Sequence, residues 1–344
     1  MFGNLKLGRY EFRLRALAES VLPPFLGSTL RGAFGHALKE VACSVPHRDC
    51  SRCLLTERCL YPRLFETQAP QRNGSALLKT RQDAPRPFIF LPPLPSKNTG
   101  FFRARDDFLR WRVSVAPGNT LDFNLSLFGS AIRDLPYMIY AVSLMAQQGF
   151  GFERAPFELE EVFALDAQGE REVIYTTGNR IKEHSRCNTT LARTVEVRMA
   201  QLAAATSSLS AIGNQITLRF VTPTRLRIKG QVLETPSFAQ LVSSTSLRLS
   251  MLSERWGDES TAHDYRSMIE LAREVSTLDS SLCLMALDRY SNRRHGKIAL
   301  DGFMGDITFS GSALRELLPL LVAGECLHVG SGTAFGLGRY TIVN

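Results

Sequence analysis

Four cysteines near the start of the chain have the residue type and spacing of a metal site. Cys43, Cys50, Cys53 and Cys59 follow the pattern C-x6-C-x2-C-x5-C. A C-x2-C pair lets two thiolates bind one ion from a single turn, and two more thiolates complete a tetrahedron. The spacing predicts structural zinc, although an iron–sulfur cluster uses the same ligands and His47 could replace one cysteine. Four unliganded thiols are the alternative. A closed four-thiolate site would staple the chain and leave no open position for catalysis.

A second stretch, HVGSGTAFGLGRY at 328–340, contains four glycines, which are Gly330, Gly332, Gly336 and Gly338. Such glycines let backbone approach a phosphate closely, or they adopt positive φ in a structural turn. The spacing G-x-G-x3-G-x-G differs from the dinucleotide-binding fingerprint, and only four residues follow Tyr340. A cofactor loop that leads into a helix is therefore excluded. Backbone contact with nucleic acid and a terminal turn both stay open.

The composition favours a two-domain protein with a basic surface. The chain has 344 residues, a formal net charge of +8, and 34 arginines against 7 lysines. Arginine is preferred where a planar group contacts phosphate, but a GC-rich genome enriches it equally. The N-terminal stretch lacks the apolar core of a signal peptide, and no apolar run is long enough to span a bilayer. We expect a soluble cytoplasmic protein with reduced thiols and no membrane partner.

Hydrophobic periodicity predicts one order of elements in the first half of the chain. Residues 8–17 alternate, with Tyr10, Phe12 and Leu14 facing inward, and form the first strand. The first helix spans 27–43, with Ser28 or Thr29 as its N-cap. The remaining predicted elements are strands at 86–92, 121–129 and 157–165 and a helix at 135–149. The order βαββαβ is that of a ferredoxin-like domain.

The second half repeats this pattern. The predicted strands are 215–228, 282–291, 297–309 and a last strand around the glycines, and the predicted helices are 237–256, 262–278 and 312–324. The predicted fold is α+β, a tandem of ferredoxin-like (RRM-like) domains. These domains span 1–165, with a Cys-rich insert at 43–60 after the first helix, and 215–344. A connector at 166–214 holds a hairpin and a helix.

Seven stretches of the chain carry a resemblance to a known family. They are GSTLRGAFGHALK, the C…CxxC…CLYPRLFET run, LSLFG, FVTPTRLRIKG, RYSNRR, LDGFMGDI and HVGSGTAFGLGRY. Their order resembles that of the repeat-associated (RAMP) superfamily of CRISPR proteins. More specifically, the chain is similar to the pre-crRNA-processing endoribonuclease usually called Cas-six. The stretches span nearly the whole chain, whereas 166–214 contributes little.

The resemblance implies an enzyme that binds CRISPR repeat RNA and cuts pre-crRNA without a metal. The RNA 2′-hydroxyl would attack the adjacent phosphate and leave a 2′,3′-cyclic phosphate and a 5′-hydroxyl. Isolated acidic pairs such as Asp106-Asp107 and Glu160-Glu161 do not resemble a two-metal carboxylate site. One alternative is a non-catalytic RAMP subunit that binds crRNA among the subunits of a CRISPR effector complex. A more distant one is a zinc-containing nucleic-acid-binding regulator.

Cleavage of this kind needs a base, an acid and positive charge near the phosphate. Histidine titrates in the required range, and His36 is the first candidate. A helical wheel places Gly32, Gly35, His36 and Lys39 opposite the apolar stripe of the first helix. The glycines would let a phosphate approach His36, and Lys39 would support its charge. The resemblance also implies a catalytic histidine on the first helix. The alternative is an exposed histidine beside helix-packing glycines.

Two other histidines are the runners-up. His328 precedes the glycines and could equally be a strand residue, and His295 lies in the basic turn RYSNRRHGK. That turn predicts RNA contacts, with phosphate bound by Arg289, Arg293, Arg294 and Lys297 and a base stacked on Tyr290. A solvated hairpin tip is the alternative. Arg31 and Arg339 are further candidates for RNA contact.

Overall fold

In the computed structural model, the described residues are 2–23, 25–45, 49–67, 85–94, 113–182, 189–205, 214–228, 230–258, 265–291 and 296–343. They form a mixed α/β fold with antiparallel sheets. The chain divides into two units, of which the first comprises Leu5–Thr189 and Met251–Glu259. The second comprises Met1–Asn4, Thr190–Ser250 and Ser260–Asn344. The predicted connector 166–214 is thus divided between the two units. In the described part of the chain, no helix is long and apolar enough to cross a bilayer.

The described part of the first unit contains a main antiparallel sheet, a separate antiparallel pair of strands and two α-helices. Its elements are β1 (Lys6–Ala16), β2 (Ser20–Leu22), α1 (Gly27–Ala42), β3 (Phe88–Leu91), β4 (Val113–Val115), β5 (Thr120–Phe128), α2 (Leu135–Gln148), β6 (Phe157–Leu165) and β7 (Arg171–Thr176). The strand order in the main sheet is β3-β5-β1-β6-β7, and β8 (Thr189–Thr190) also pairs with β1, whereas β2 and β4 form the separate pair. The hairpin predicted after residue 165 is the pair β6–β7, which extends this sheet.

The core of the first unit follows the predicted hydrophobic pattern. Strand β1 buries Tyr10, Phe12 and Leu14, and the ring of Phe12 stacks on that of Phe123 across the β1–β5 pair at 5.3 Å. Helix α1 buries Phe34, which lies edge-on to aromatic rings of β3. The predicted N-cap at Ser28 or Thr29 is wrong. The helix already begins at Gly27, and the cap position Leu26 has no side chain able to accept a hydrogen bond.

Two arginines of β1, Arg13 and Arg15, point away from this core and are paired with acids. Arg13 lies 3.1 Å from Asp122 and 3.1 Å from Glu161, on the two flanking strands. Arg15 likewise pairs with acids of β6. Part of the arginine excess is therefore neutralised within the sheet. Composition alone overstates the basic surface that is free to contact a nucleic acid.

The second unit has the same general construction. Its elements are α3 (Leu191–Ala205), β9 (Gln215–Thr224), β10 (Arg227–Ile228), β11 (Gln231–Val232), α4 (Phe238–Trp256), α5 (Tyr265–Ala272), β12 (Ser276–Ser280), β13 (Cys283–Met285), β14 (Asp288–Ser291), β15 (Gly296–Ala299), β16 (Gly302–Ser310), α6 (Leu314–Leu327) and β17 (Tyr340–Val343). The sheet order is β12-β16-β9-β17, and β13 also pairs with β16. The pairs β10–β11 and β14–β15 are separate two-stranded sheets.

Several predicted boundaries in the second unit are wrong. The helix predicted at 262–278 ends at Ala272, and residues 276–280 form strand β12, because their backbone pairs with β16. The strands predicted at 215–228, 282–291 and 297–309 are each divided into two. The helix predicted to end at Gly324 continues to Leu327. Gly324 is therefore not the C-cap, a position that His328 takes. Its lack of a side chain leaves room for the Tyr340 hydroxyl, which a Cβ would overlap. The pairing of β12 with β16 is a long-range contact that a local pattern does not contain.

Glu325 joins three elements of the second unit. Its carboxylate accepts hydrogen bonds from Arg198 of α3 at 3.0 and 3.3 Å. The same carboxylate accepts from the Thr341 hydroxyl at 3.1 Å and from the Ile342 amide at 2.7 Å, both on β17. The Glu325 side chain is only 13% exposed, so these charged hydrogen bonds are well shielded from water.

We expect Glu325→Ala to lower the free energy of unfolding by about 1.5–3 kcal/mol, the range for hydrogen bonds to a charged group. Urea unfolding followed by circular dichroism would measure the change. The matched control is Glu234→Ala at an exposed position of the same unit, with an expected effect within about 0.5 kcal/mol. Equal effects of the two substitutions would contradict the linking role of Glu325.

Candidate functional site

Helix α1 presents an exposed stripe that contains His36. Gly32, His36 and Glu40 recur one turn apart, and all three are exposed. A Cβ added at Gly32 would have no atom within 4 Å, so the backbone beside the imidazole is open to solvent. At the end of the helix, Gln148 of α2 donates a hydrogen bond to Glu40 at 2.8 Å. Another molecule could therefore approach His36 closely at this surface.

The neighbouring stripe of α1, formed by Arg31, Gly35 and Lys39, is covered by aromatic rings. The Arg31 guanidinium lies 4.2 Å from the centre of the Phe65 ring. The Lys39 ammonium lies 5.3 Å from the centre of the Tyr61 ring. Gly35 is buried, and a Cβ there would overlap the Phe65 ring. The helical wheel placed Gly35 and Lys39 with His36 on one open face. In the structure they lie on this adjacent, covered stripe, and Gly35 serves helix packing.

The covering segment is itself anchored on several sides. It includes the π-helical turn Pro62–Glu66, and the rings of Tyr61 and Phe65 stack at 5.3 Å. Arg63 pairs with Asp134 at 2.7 Å, just before α2. Arg86 donates to the Phe65 carbonyl at 2.7 Å. Sequence reasoning quoted these residues only as part of the resemblance, although two aromatic residues four positions apart could have indicated a shared helical face.

The structure brings the four clustered cysteines to one pocket. Cys43, Cys50, Cys53 and Cys59 are free thiols of intermediate burial, and all four line it, together with Lys39 and Tyr61 among others. Burial raises the pKa of the Cys50 thiol. The Lys39 charge opposes the rise, whereas Glu66, Cys59 and Cys43 add to it.

This pocket is not arranged as a finished metal site. Within the described residues, no three histidine, cysteine, aspartate or glutamate side chains are gathered closely enough to hold a metal ion. The alternative ligand His47 lies outside the described residues. Zinc and the iron–sulfur alternative therefore stay predictions.

The four glycines before β17 lie in a turn that packs against other residues of the second unit. Their φ values are 81°, 82°, 83° and 75° at Gly330, Gly332, Gly336 and Gly338, all in the left-handed region. The amides of Gly330, Gly336 and Gly338 donate to Ser244, Thr333 and Pro223 at 3.2, 2.8 and 3.0 Å. A Cβ at Gly338 would overlap the Val329 carbonyl. These three amides are committed within the protein, so the turn interpretation explains them better than contact with phosphate.

His328, the first runner-up, is a core residue. Its side chain is 1% exposed, and Nδ1 lies 3.0 Å from the Leu337 carbonyl oxygen. Burial lowers its pKa to about 3; the charges of Arg339 and Arg248 add to this, and the hydrogen bond to Leu337 opposes it. A neutral imidazole enclosed in this way does not fit the alternative catalytic role. Arg339 is half-buried, and burial lowers its pKa as well.

The basic turn lies at the end of a small hairpin. Strands β14 and β15 pair Arg289 with Ile298 and Tyr290 with Lys297, whereas Arg293, Arg294 and His295 lie outside the described residues. Arg225 connects this hairpin to the glycine turn. Its guanidinium donates to the Ala299 carbonyl, and its own carbonyl accepts from the Ser331 amide at 2.9 Å.

Three exposed residues, one in the second unit and two in the first, were missed by sequence reasoning. Arg227, on β10, is exposed and acts electrostatically on Arg225. Tyr137 and Tyr140 are 53% and 62% exposed on α2. Two tyrosines three positions apart on the solvent side of an otherwise apolar helix could have indicated a surface for stacking.

Two family models match the chain. One, an N-terminal domain of the AF_1859 type, matches residues 5–186. The other, described as CRISPR-associated endoribonuclease Cas6, matches residues 218–340. Together they cover most of both units. An uncharacterized protein of Archaeoglobus fulgidus is 26% identical over 341 residues, which is 98% of each chain.

Solved structures with the same fold are also similar. A Cas6 product complex, with Cas6 from Thermus thermophilus, has a TM-score of 0.51 at 15% identity and covers 98% of this chain and 99% of that one. A partial Cas6-RT-Cas1–Cas2 complex has a TM-score of 0.56 at 12% identity and covers 99% of this chain. This chain spans 46% of the latter. Identities this low establish the fold alone.

The burial of His328 predicts a pH dependence of stability. The folded pKa of about 3 lies below the ordinary 6.5, so the unfolded chain binds more protons between these values. The stabilisation is complete above pH 6.5 and is lost as the pH falls toward 3. From pH 7 to pH 5, this group alone should remove about 2 kcal/mol of unfolding free energy.

Urea unfolding of the protein and of His328→Asn at both pH values would measure this contribution. Asparagine suits the positive φ of 57° at this position and has no charge change in the range. The variant should therefore lose less stability on acidification. The same loss in both proteins would show that His328 is not the group responsible.

Proposed function

We propose that this chain, which belongs to the Cas6 family of CRISPR-associated proteins, binds CRISPR repeat RNA and cleaves it as a metal-independent endoribonuclease. The observation that carries the proposal is the exposed His36 on α1, beside open backbone at Gly32. The reaction would be attack of the RNA 2′-hydroxyl on the adjacent phosphate. Its products would be a 2′,3′-cyclic phosphate and a 5′-hydroxyl.

The strand orders support a tandem ferredoxin-like interpretation of the two units. In the first sheet, the four strands that match the βαββαβ order lie as β6-β1-β5-β3, and in the second as β17-β9-β16-β12. In both sheets, numbering by chain order gives 4-1-3-2, the order of a split βαβ domain. The Cys-rich insert then follows the first helix of the first domain, between α1 and β3.

In this proposal, His36 exchanges protons at the scissile bond. An imidazole can take the proton of the attacking 2′-hydroxyl or return one to the leaving 5′-oxygen. Lys39 and Arg31 lie on the adjacent stripe of the same helix. Their positive charges would stabilise the phosphorane as negative charge develops on it. Their contacts with Tyr61 and Phe65 would hold them in place beforehand.

RNA binding is proposed to involve the basic hairpin of the second unit. Strands β14 and β15 carry Arg289, Tyr290 and Lys297, and Arg225 donates a hydrogen bond to β15. The exposed Arg227 adds a second positive charge near Arg225, whose pKa is lowered by burial and by this charge. Cations that contact phosphates supply affinity with little dependence on sequence, and a tyrosine can stack on an unpaired base. Tyr137 and Tyr140 on α2 could stack bases in the same manner.

His36→Ala should lower the rate of repeat-RNA cleavage by about 10²–10⁴-fold, the usual contribution of a general acid or base. The affinity for RNA should change little, because the exposed imidazole makes at most a small part of the contact. Single-turnover cleavage in EDTA, with the termini of the products identified, measures the rate. A binding assay measures the affinity.

The control for this substitution is Gln147→Ala on the exposed side of α2, which should cleave at the wild-type rate. Full activity of His36→Ala would disprove the assignment of the catalytic residue. Binding by the wild-type protein without any cleavage would favour the alternative, a non-catalytic crRNA-binding subunit of an effector complex. Cleavage that EDTA abolishes would contradict metal independence.

Replacing both Arg289 and Lys297 by alanine should weaken RNA binding uniformly across repeat sequences. Each lost phosphate contact should reduce the slope of log affinity against log salt by about 0.7 for single-stranded RNA. Titrations at several salt concentrations would measure this slope. The Glu234→Ala protein is the matched control, and an unchanged slope in the double variant would exclude the hairpin from the interface.

A further inference from the structure

We infer that Cys43, Cys50, Cys53 and Cys59 bind one zinc ion, which fastens the segment from Cys50 to Phe65 onto helix α1 beside His36. The four thiols line one pocket although they are separated along the chain by the end of a helix and a loop. Four thiolates around a tetrahedral ion form the commonest closed zinc site. This inference concerns a metal that acts on structure and takes no part in the proposed cleavage.

The positions of Cys43 and Cys59 explain how a bound ion would fasten the covering segment to helix α1. Cys43 is the residue that caps the end of α1, and Cys59 comes two residues before Tyr61. Tyr61 and Phe65 are the rings that cover Lys39 and Arg31. A bond from Cys43 through an ion to Cys59 would therefore tie the end of the helix to the start of the segment that covers it.

The loop between these cysteines lacks a hydrophobic core of its own. Between Cys50 and Cys59, none of the residues with a described burial is buried. Leu54 is completely exposed and Leu55 is 52% exposed. Local hydrogen bonds are present, because the Thr56 hydroxyl donates to the carbonyls of Cys50 and Cys53 at 2.6 and 2.8 Å. Short segments without a core are commonly held by a bound metal or by disulfides.

The surroundings of the pocket suit a thiolate–zinc group. Four thiolates with one zinc ion carry a net charge of −2, which a nearby cation would offset. Lys39 lies at the pocket wall and supplies that cation. Because no three ligands are yet gathered within the described residues, binding requires the exposed loop to close toward Cys43.

Elemental analysis of the full chain, purified under reducing conditions without added chelator, tests the site directly. We expect about one zinc per chain, as in closed four-cysteine sites. Replacing both Cys50 and Cys53 by serine should reduce zinc to less than about a tenth of that amount, whereas Cys283→Ser, an exposed cysteine elsewhere, should retain it. Cobalt in place of zinc should give intense sulfur-to-metal absorption bands in the wild-type protein and in Cys283→Ser, but not in the double variant.

Three results of that analysis would overturn the inference. They are a chain free of zinc with four reactive thiols, zinc that persists in the double variant, and iron with sulfide in place of zinc. Because the measurement uses no RNA, its outcome is separate from that of the cleavage experiment.

Limited trypsin digestion tests the fastening role. Arg52 and Arg58 lie in the exposed loop, and an ion that closes the loop should protect both bonds. We expect cleavage there to accelerate by about tenfold or more in the double variant, because metal binding and local folding are coupled. Cleavage at the exposed Arg154 should be unchanged, and far-UV circular dichroism should confirm that the variant is folded. Equal rates at Arg52 and Arg58 in both proteins would refute the role.

Discussion

The fit of the Phe65 ring against Gly35 controls the geometry on which the candidate site depends. Only the missing side chain at position 35 lets the ring lie on helix α1, because a Cβ there would overlap it. Once in place, the ring stacks on Tyr61 and carries the guanidinium of Arg31. One stripe of the helix is thereby closed, and the adjacent stripe with His36 is left open to another molecule. A single packing contact thus separates the covered face of the helix from its open face.

In the second unit, glycines again allow a close contact, here between backbone segments. The glycine turn is closed against Pro223 and Ser244, and the adjoining His328 is enclosed with a low pKa of about 3. A motif that suggests nucleic-acid contact by its composition is here mainly a means of seating the last strand. The guanidinium of Arg225 donates to the neighbouring hairpin, and its carbonyl accepts from the Ser331 amide of the turn. The turn is therefore held between the last strand and that hairpin by hydrogen bonds within the second unit.

Much of the fold could be predicted because burial repeats with a regular period. Strand β6 has the predicted bounds, and β1 buries the residues that the pattern assigned. The prediction failed where contacts with distant segments determine the structure. Residues 276–280 form a strand by pairing with β16, and α6 continues past Gly324, against which Tyr340 packs. The candidate site was predicted in part. Residue type and helical period sufficed to predict that His36 lies on the open side of the first helix. The covering of Lys39 by Tyr61 could not be predicted in this way, because it depends on a contact across 22 positions.

The sequence by itself determined many of the elements and the residue types available for chemistry. It did so because hydrophobic period, glycines and cysteine spacing are local properties that chain geometry converts directly into structure. The tertiary structure alone decided which of these residues reach solvent. His36 and His328 have the same side chain, yet one is exposed on a helix and the other is 1% exposed beneath a turn. Exposure depends on which distant segments pack over a residue, and no local pattern contains that information.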